Sequence, residues 1–142
     1  MPHVRPATLD DAHALAALMA HLGYPTGPDA MRARLERIAS RPDYATWVAE
    51  AEGVVVGMAG AMWGWGHYQD EPFARLLALV VDPAHQGHGA GAALVRTVEE
   101  WARAQGAPAL HLTTNHRREG AHRFYTRLGF EDTGRRFYKR LI

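Results

Sequence analysis

Apolar positions in this chain switch repeatedly between a helical period and short continuous runs. From Ala12, the residues Leu15, Leu18, Met19 and Leu22 recur at i, i+3, i+4 and i+7, which predicts a helix with one buried face that ends at Gly23. Thr8-Leu9-Asp10-Asp11 ahead of it reads as a capping box with Asp11 in place of Glu or Gln. A short strand, His3 to Ala7, precedes that start. The breakers Tyr24-Pro25-Thr26-Gly27-Pro28 lead to a second helix with Met31, Leu35 and Ile38 inward and arginines outward, closed by Arg41-Pro42-Asp43. Ala45–Ala51 and Val54–Trp65, separated by Glu52-Gly53, predict a β-hairpin. Glycines stud its second arm, the pattern of a bulge or of close backbone approach.

The segment Leu76 to Trp101 organises the rest. Leu76-Leu77-Ala78-Leu79-Val80-Val81 is a continuous apolar run, expected of a strand buried on both faces. Asp82-Pro83 ends it, and Gln86-Gly87-His88-Gly89-Ala90-Gly91 follows. Beyond Gly91, Leu94, Val98 and Trp101 fall at helical spacing, with Gly106 as the stop. A strand, a glycine-rich turn and a helix aim free backbone N–H groups and a positive dipole end at one spot, an arrangement that binds phosphate. Further on, Ala109–Thr114 predicts a strand and Gly120–Leu128 a helix closed by Gly129. Phe130-Glu131 and Phe137–Leu141, turned around Gly134, predict the last strands. The order β-α-α-β-β-β-α-β-α-β-β builds a mixed sheet with helices on both faces, in one domain spanning residues 1–142.

Two phosphate-binding classes are set aside by spacing. Gly87-x-Gly89-x-x-Ala92 fits a relaxed dinucleotide fingerprint, but four residues, Pro83 to Gln86, separate it from the strand. No acidic residue ends the next strand, where Thr113-Thr114-Asn115 stands. GxxxxGK[ST] does not occur, which removes the phosphate loop of nucleotide triphosphatases.

Composition narrows the chemistry. Sixteen Lys and Arg against fifteen Asp and Glu give a net charge of +1, so charge favours neither nucleic acid nor a membrane surface as a partner. There is no cysteine, which excludes disulfides and thiolate nucleophiles within this chain. Nine histidines invite a metal reading, yet HExxH is absent and His85-x-x-His88 lies in the turn that phosphate needs, so no metal is expected. With no secretory signal pattern and no apolar stretch of spanning length, a cytoplasmic location is the expectation.

Gln86-x-x-Gly89-x-Gly91 behind a strand ending Leu79-Val80-Val81-Asp82-Pro83 resembles the acetyl-coenzyme A signature of the GNAT N-acetyltransferase superfamily. Arg118-x-x-Ala121-His122-Arg123-Phe124-Tyr125-x-x-x-Gly129-Phe130 is similar to that family's late helix and its Gly-Phe turn, with Arg118 where most members carry Asn. Leu112–Asn115 onward, to Phe137-Tyr138-Lys139-Arg140-Leu141, is similar to the aminoalkylphosphonate N-acetyltransferase branch. That branch carries acidic residues where this chain has Arg75-Leu76-Leu77-Ala78.

The resemblance implies an α+β fold in α/β/α layers, a mixed and mostly antiparallel sheet flanked by helices. It implies an enzyme that moves an acetyl group from acetyl-CoA directly to a primary amine of a small molecule, and a possible homodimer. It places the pyrophosphate on the backbone of Gln86, Gly87, His88, Gly89, Ala90 and Gly91, and the pantetheine arm along Leu79, Val80 and Val81. Asn115, Arg118 and Tyr125 would complete the cofactor site, with Tyr125 as general acid to the sulfur. Read from its residues alone, Tyr125 is a core aromatic beside Phe124 rather than an acid. No base declares itself: His67, Asp70 and Glu71 precede the buried strand and could face the acceptor directly or through water, and a solvated loop accounts for them as well. Trp63, Trp65, His67 and Tyr68 form an aromatic patch, a candidate dimer surface. Protein acetylation, at a lysine or N-terminus, and a non-catalytic acyl-CoA-binding module are the rival readings.

Overall fold

The computed structural model describes residues 2–113, 119–134 and 136–142. They fall into two compact units, Met1–His111 and Leu112–Ile142.

In the first unit, β1 (His3–Pro6), α1 (Ala12–Leu22), α2 (Pro28–Ala39), β2 (Tyr44–Ala51), β3 (Val54–Gly64), β4 (Phe73–Val81), α3 (Ala90–Ala104) and β5 (Leu110–His111) follow in order. The strands form one sheet in the order β1-β2-β3-β4-β5, antiparallel except for the parallel β4–β5 pair. The expected mixed sheet, mostly antiparallel, is therefore present. Glu52 and Gly53 both carry left-handed φ, +53° and +79°, as a two-residue hairpin turn of type I′ requires.

Side-chain alternation sorts the helices onto the two faces. Val48 and Met58 pack into a core with Leu15, Leu18 and Met19 of α1 and with Met31 and Leu35 of α2. Their strand neighbours point the other way. Trp47 meets Trp101 of α3 edge-on at 5.5 Å, and a Cβ at Gly57 would touch Leu94 of α3. The predicted α1 stripe is the buried one, and α3 buries Leu94, Val95, Val98 and Ala102. In α2, Met31 and Leu35 are buried while Ile38 is only half-covered.

The expectation of a doubly buried β4 needs correction. Gly60 pairs with Ala78 and Ala61 with Leu76, so Leu77 is an extra residue, a β-bulge. Before it, Ala74 packs with Ala102 of α3; after it, Ala78 and Val80 pack on the α1–α2 core. The bulge switches the strand's faces, and Leu77 itself is 50% exposed. A uniformly apolar run hides such a switch because both registers look equally hydrophobic.

In the second unit, α4 (Glu119–Arg127) is closed by Gly129 at φ +92°. The N–H of Gly129 donates to the Thr126 carbonyl and that of Phe130 to the Tyr125 carbonyl, a Schellman closure. Phe130 folds its ring back onto Tyr125 at 5.6 Å, the apolar contact that accompanies this closure. The strands expected at Phe130-Glu131 and over Phe137–Leu141 are not found among the described residues, and Phe137, Tyr138 and Leu141 are strongly exposed. Strand-prone residues form no ladder without a paired edge, and propensity alone does not supply one.

Candidate active site

β4 and β5 are hydrogen-bonded only where Ala74 faces Leu110 and Arg75 faces His111. From Leu76 to Val81, β4 has no further strand partner on that side among the described residues. Backbone groups of a strand edge that lacks a strand partner can pair with an extended ligand added as a strand. Leu79, Val80 and Val81 lie on this stretch, immediately before the glycine turn.

The turn is built by local hydrogen bonds. The Asp82 N–H donates to the Val56 carbonyl at 2.8 Å, tying the strand end to β3. The Asp82 carboxylate accepts from the Ala84 N–H at 3.0 Å, and its carbonyl accepts from the His85 N–H at 2.8 Å. Gln86 reaches back, its Nε2 donating to the Val81 carbonyl at 3.3 Å, so its side chain braces the turn against the strand. Gly87 and Gly89 have φ of +82° and +89°, and a Cβ at either would meet nothing within 4 Å. Backbone conformation, not crowding by this chain, therefore requires glycine at both. His88 between them is exposed, and Ala90 is buried as the first residue of α3.

At the start of α3, Ala93 donates to the Gly89 carbonyl at 3.0 Å as the helix's first bond. The N–H groups of Ala90, Gly91 and Ala92 precede it and have no intrahelical acceptor. Gly89 at the N-cap has no side chain to satisfy them, and no acidic residue stands in the first turn to offset the dipole. A fifteen-residue helix with a bare N-terminus, beside an open strand edge, fits a pyrophosphate carrying an extended amide-bearing arm.

The remaining predicted residues are placed as follows. Tyr125 lies on α4 with its ring edge-on to Phe124 at 5.4 Å and to Phe130, half-buried within its unit. Asn115 and Arg118 fall outside the described residues. His67, Asp70 and Glu71 are exposed in the connection between β3 and β4, where Gln69 Nε2 donates to the Glu71 carbonyl at 2.9 Å. This connection precedes Phe73, and the six residue steps of strand from Phe73 to Leu79 span about 20 Å. Direct contact of His67 or Glu71 with a group polarised at Leu79 does not follow from that placement. Trp65 and Tyr68 are exposed, and Trp63 stacks edge-on to Trp65 at 5.7 Å. Among the described residues, no three His, Asp or Glu side chains gather to hold a metal, and no helix is long and apolar enough to cross a membrane.

One feature near β4 has no forerunner in the sequence motifs. On the α1–α2 face of the bulge lies a cavity of about 180 Å³ between the helices and the sheet. Met19, Met31, Leu35, Met58 and Leu77 line it, together with Gly60 and Arg34. A glycine inside the β3 pattern and an arginine-dense α2 were its only traces in the sequence.

A strand, a glycine turn and a helix on a bulged, mostly antiparallel sheet set the architecture, and residues 12–130 match the acetyltransferase (GNAT) family. The chain belongs to that family. It is 41% identical to N-acetyltransferase 8B of Homo sapiens over 97 residues, 65% of this chain and 40% of that protein. Against N-acetyltransferase 8F1 of Rattus norvegicus it is 40% identical over 95 residues, 64% of this chain and 41% of the relative. The match thus spans about two fifths of the length of these relatives.

Among solved structures, a transcriptional regulator from Bacillus halodurans C-125 superposes with a TM-score of 0.91 at 23% identity, covering 99% of this chain and all of that one. The aminoglycoside N-acetyltransferase AAC(6')-Iy, solved with CoA, superposes with a TM-score of 0.87 at 24% identity, covering 99% and 94%. These two likenesses establish the shared fold.

Proposed function

We propose that this chain is an acetyl-CoA-dependent N-acetyltransferase acting on a primary amine of a small molecule by direct transfer. The observation that carries the reading is the junction of the β4 edge, which beyond Arg75 has no strand partner among the described residues, with the N-terminus of α3, within a chain of the GNAT family. Bound acetyl-CoA supplies an activated acyl carbon whose C–S bond is exchanged for an amide C–N bond.

The chain's residues do the rest. The N–H groups of Ala90, Gly91 and Ala92, with the turn backbone from Gln86 to Gly89, hold the pyrophosphate. The backbone of Leu79, Val80 and Val81 pairs with the pantetheine arm, and one N–H of that stretch donates to the thioester carbonyl as negative charge develops on its oxygen. By the family resemblance, Tyr125 would give its phenolic proton to the departing thiolate, and Asn115 and Arg118, which lie outside the described residues, would add contacts to the cofactor. The amine's proton leaves through water to solvent or to the exposed His67, Asp70 or Glu71. This chain has no cysteine to carry an acetyl group, so the amine attacks the thioester itself.

A thiol-release assay with acetyl-CoA and a broad amine panel tests the proposal. Amine-dependent release with formation of the N-acetyl product is the expected result. Binding of acetyl-CoA without turnover of any amine would identify a cofactor-binding module instead, and turnover confined to peptides and proteins would make the acceptor a macromolecule.

A further inference from the structure

The cavity beside the β4 bulge offers space to hydrocarbon and to little else. Its volume is about 180 Å³, against roughly 150 Å³ for a cavity that takes benzene, so six carbons set the scale. Among the described residues that line it, Arg34 alone is charged. That side chain is exposed, and its Nη1 donates to Thr26 Oγ1 at 3.1 Å, which commits the guanidinium to the α1–α2 connection rather than to the apolar space. An ammonium group entering the cavity would lose its hydration with no carboxylate to replace it. Three of the chain's five methionines, Met19, Met31 and Met58, stand in the wall. Their unbranched thioether side chains adjust to occupants of different length.

The cavity also adjoins the strand segment that would carry the thioester. The Asp82 N–H donates to the Val56 carbonyl, and residues along an antiparallel ladder alternate in direction. Val80 and Ala78 therefore turn their backbone groups toward β3. Val81 and Leu79 turn theirs toward the edge that beyond Arg75 has no strand partner among the described residues, and the Gln86 side chain meets the Val81 carbonyl there. The side chains of Ala78 and Val80 pack toward α1 and α2, and Ala78 lines the cavity. An acyl group polarised by the Leu79 N–H is thus one residue along the strand from the cavity wall, about 3.3 Å.

The bulge makes the cavity and opens it. Leu77 stands out of the β3–β4 ladder, lines the cavity and is half-exposed, so the space meets solvent at the bulge. Gly60, opposite Ala78, adds no side chain to fill it, and a Cβ there would meet only the Met58 methyl, at 3.9 Å. Unfilled apolar space costs stability, and small residues at Gly60 and Ala78 keep it open where larger ones would close it.

Resting on the acetyltransferase reading above, we infer that this cavity receives the tail of the acyl group, and that the chain transfers straight-chain acyl groups of about four to six carbons from their CoA thioesters in addition to acetyl. The bonds exchanged are the same. The thioester C–S bond breaks, the amide C–N bond forms, and the proton given up by the amine balances the one gained by the thiol. Only the hydrocarbon beyond the carbonyl differs, and Gly60, Ala78 and the methionines set its length.

Calorimetric titration of the full chain with acetyl-, butyryl-, hexanoyl- and decanoyl-CoA tests the inference, followed by kcat/KM for each thioester with an amine that the panel above shows to be acetylated. Each buried methylene strengthens binding, so hexanoyl-CoA should bind about tenfold or more tightly than acetyl-CoA, and decanoyl-CoA should gain nothing further. Gly60→Val should erase the hexanoyl advantage while acetyl-CoA affinity is retained. Met31→Ala, which enlarges the space, should move the preference to a longer chain. Equal or weaker binding of hexanoyl-CoA, an advantage that both variants leave intact, or hexanoyl-CoA bound without turnover while acetyl-CoA is consumed overturns the acyl-chain assignment and leaves the acetyltransferase standing. No turnover of any thioester with any amine overturns both.

Discussion

Gly57 on β3 and Val80 on β4 approach so closely that a Cβ built on the glycine would lie 3.1 Å from the Val80 carbonyl oxygen. The same atom would come within 3.2 Å of Leu94 Cδ1 and 3.3 Å of Val81 Cγ2. Glycine at this point lets α3 settle against the sheet directly behind the strand proposed to hold the cofactor arm. Gly57→Ala should cost about 1–3 kcal/mol, the range for overpacking a close-packed interior. Thermal unfolding measures that loss. Coenzyme A titration should show weaker binding, since relief of the clash moves Val80 or α3; unchanged affinity would show that the strand and helix adjust independently of the site.

Gly89 tests the turn without crowding. Its φ of +89° strains any residue with a Cβ, although the space around it is open. Gly89→Ala should destabilise by about 1–2 kcal/mol. Asn tolerates left-handed backbone better, so Gly89→Asn should be milder in thermal unfolding. If both variants bind coenzyme A as the parent does, the left-handed turn is not what presents the α3 N-terminus.

Tyr125→Phe keeps the ring that meets Phe124 and Phe130 and removes only the hydroxyl. A general acid contributes about 10²-fold or more, so kcat should fall by that order with coenzyme A affinity little changed. An unaltered kcat would return Tyr125 to the role of a packing aromatic.

Acid stability depends on a charge cluster far in sequence from the turn. Arg5 grips Asp11 with both terminal nitrogens, each 2.9 Å from a carboxylate oxygen, and also pairs with Glu50. The Asp11 carboxylate additionally accepts the Thr8 N–H at 2.7 Å, closing the capping box of the short turn Leu9–Asp11 that leads into α1. The Arg5 hydrogen bonds, outweighing the cost of burial, hold the Asp11 carboxyl below its ordinary value of 3.8. Because the folded value lies below the unfolded one, the stability it contributes is complete above about pH 4 and is lost as pH falls through and beneath that value. Asp11→Asn should lower stability at neutral pH by about 1–3 kcal/mol and flatten the decline between pH 4 and lower pH. Denaturant unfolding at several pH values reads both effects; an equally steep decline in the variant would assign the acid sensitivity to other carboxylates.

The parts of this molecule that were legible in the sequence are those with a local cause. The i, i+3, i+4 stripe of Leu15, Leu18 and Met19, the left-handed stop at Gly23, the Glu52-Gly53 turn and the strand–glycine–helix order around Gly87 and Gly89 each follow from residues within one turn of themselves. The bulge at Leu77 does not, because Leu76 to Val81 is apolar in either register and only pairing with β3 decides which residue is left out. The cavity beneath it brings Arg34, Gly60 and Leu77 together from α2, β3 and β4, and no spacing in the chain relates them. Placement, too, was decided in three dimensions: His67 and Glu71 stand exposed in the connection that enters β4 at Phe73, while Leu79 lies toward the other end of that strand. The chain alone determined where glycines and unpaired helix N–H groups gather at the start of α3, since that arrangement is local. What lies beside that turn depends on surfaces that meet only when the sheet and helices pack.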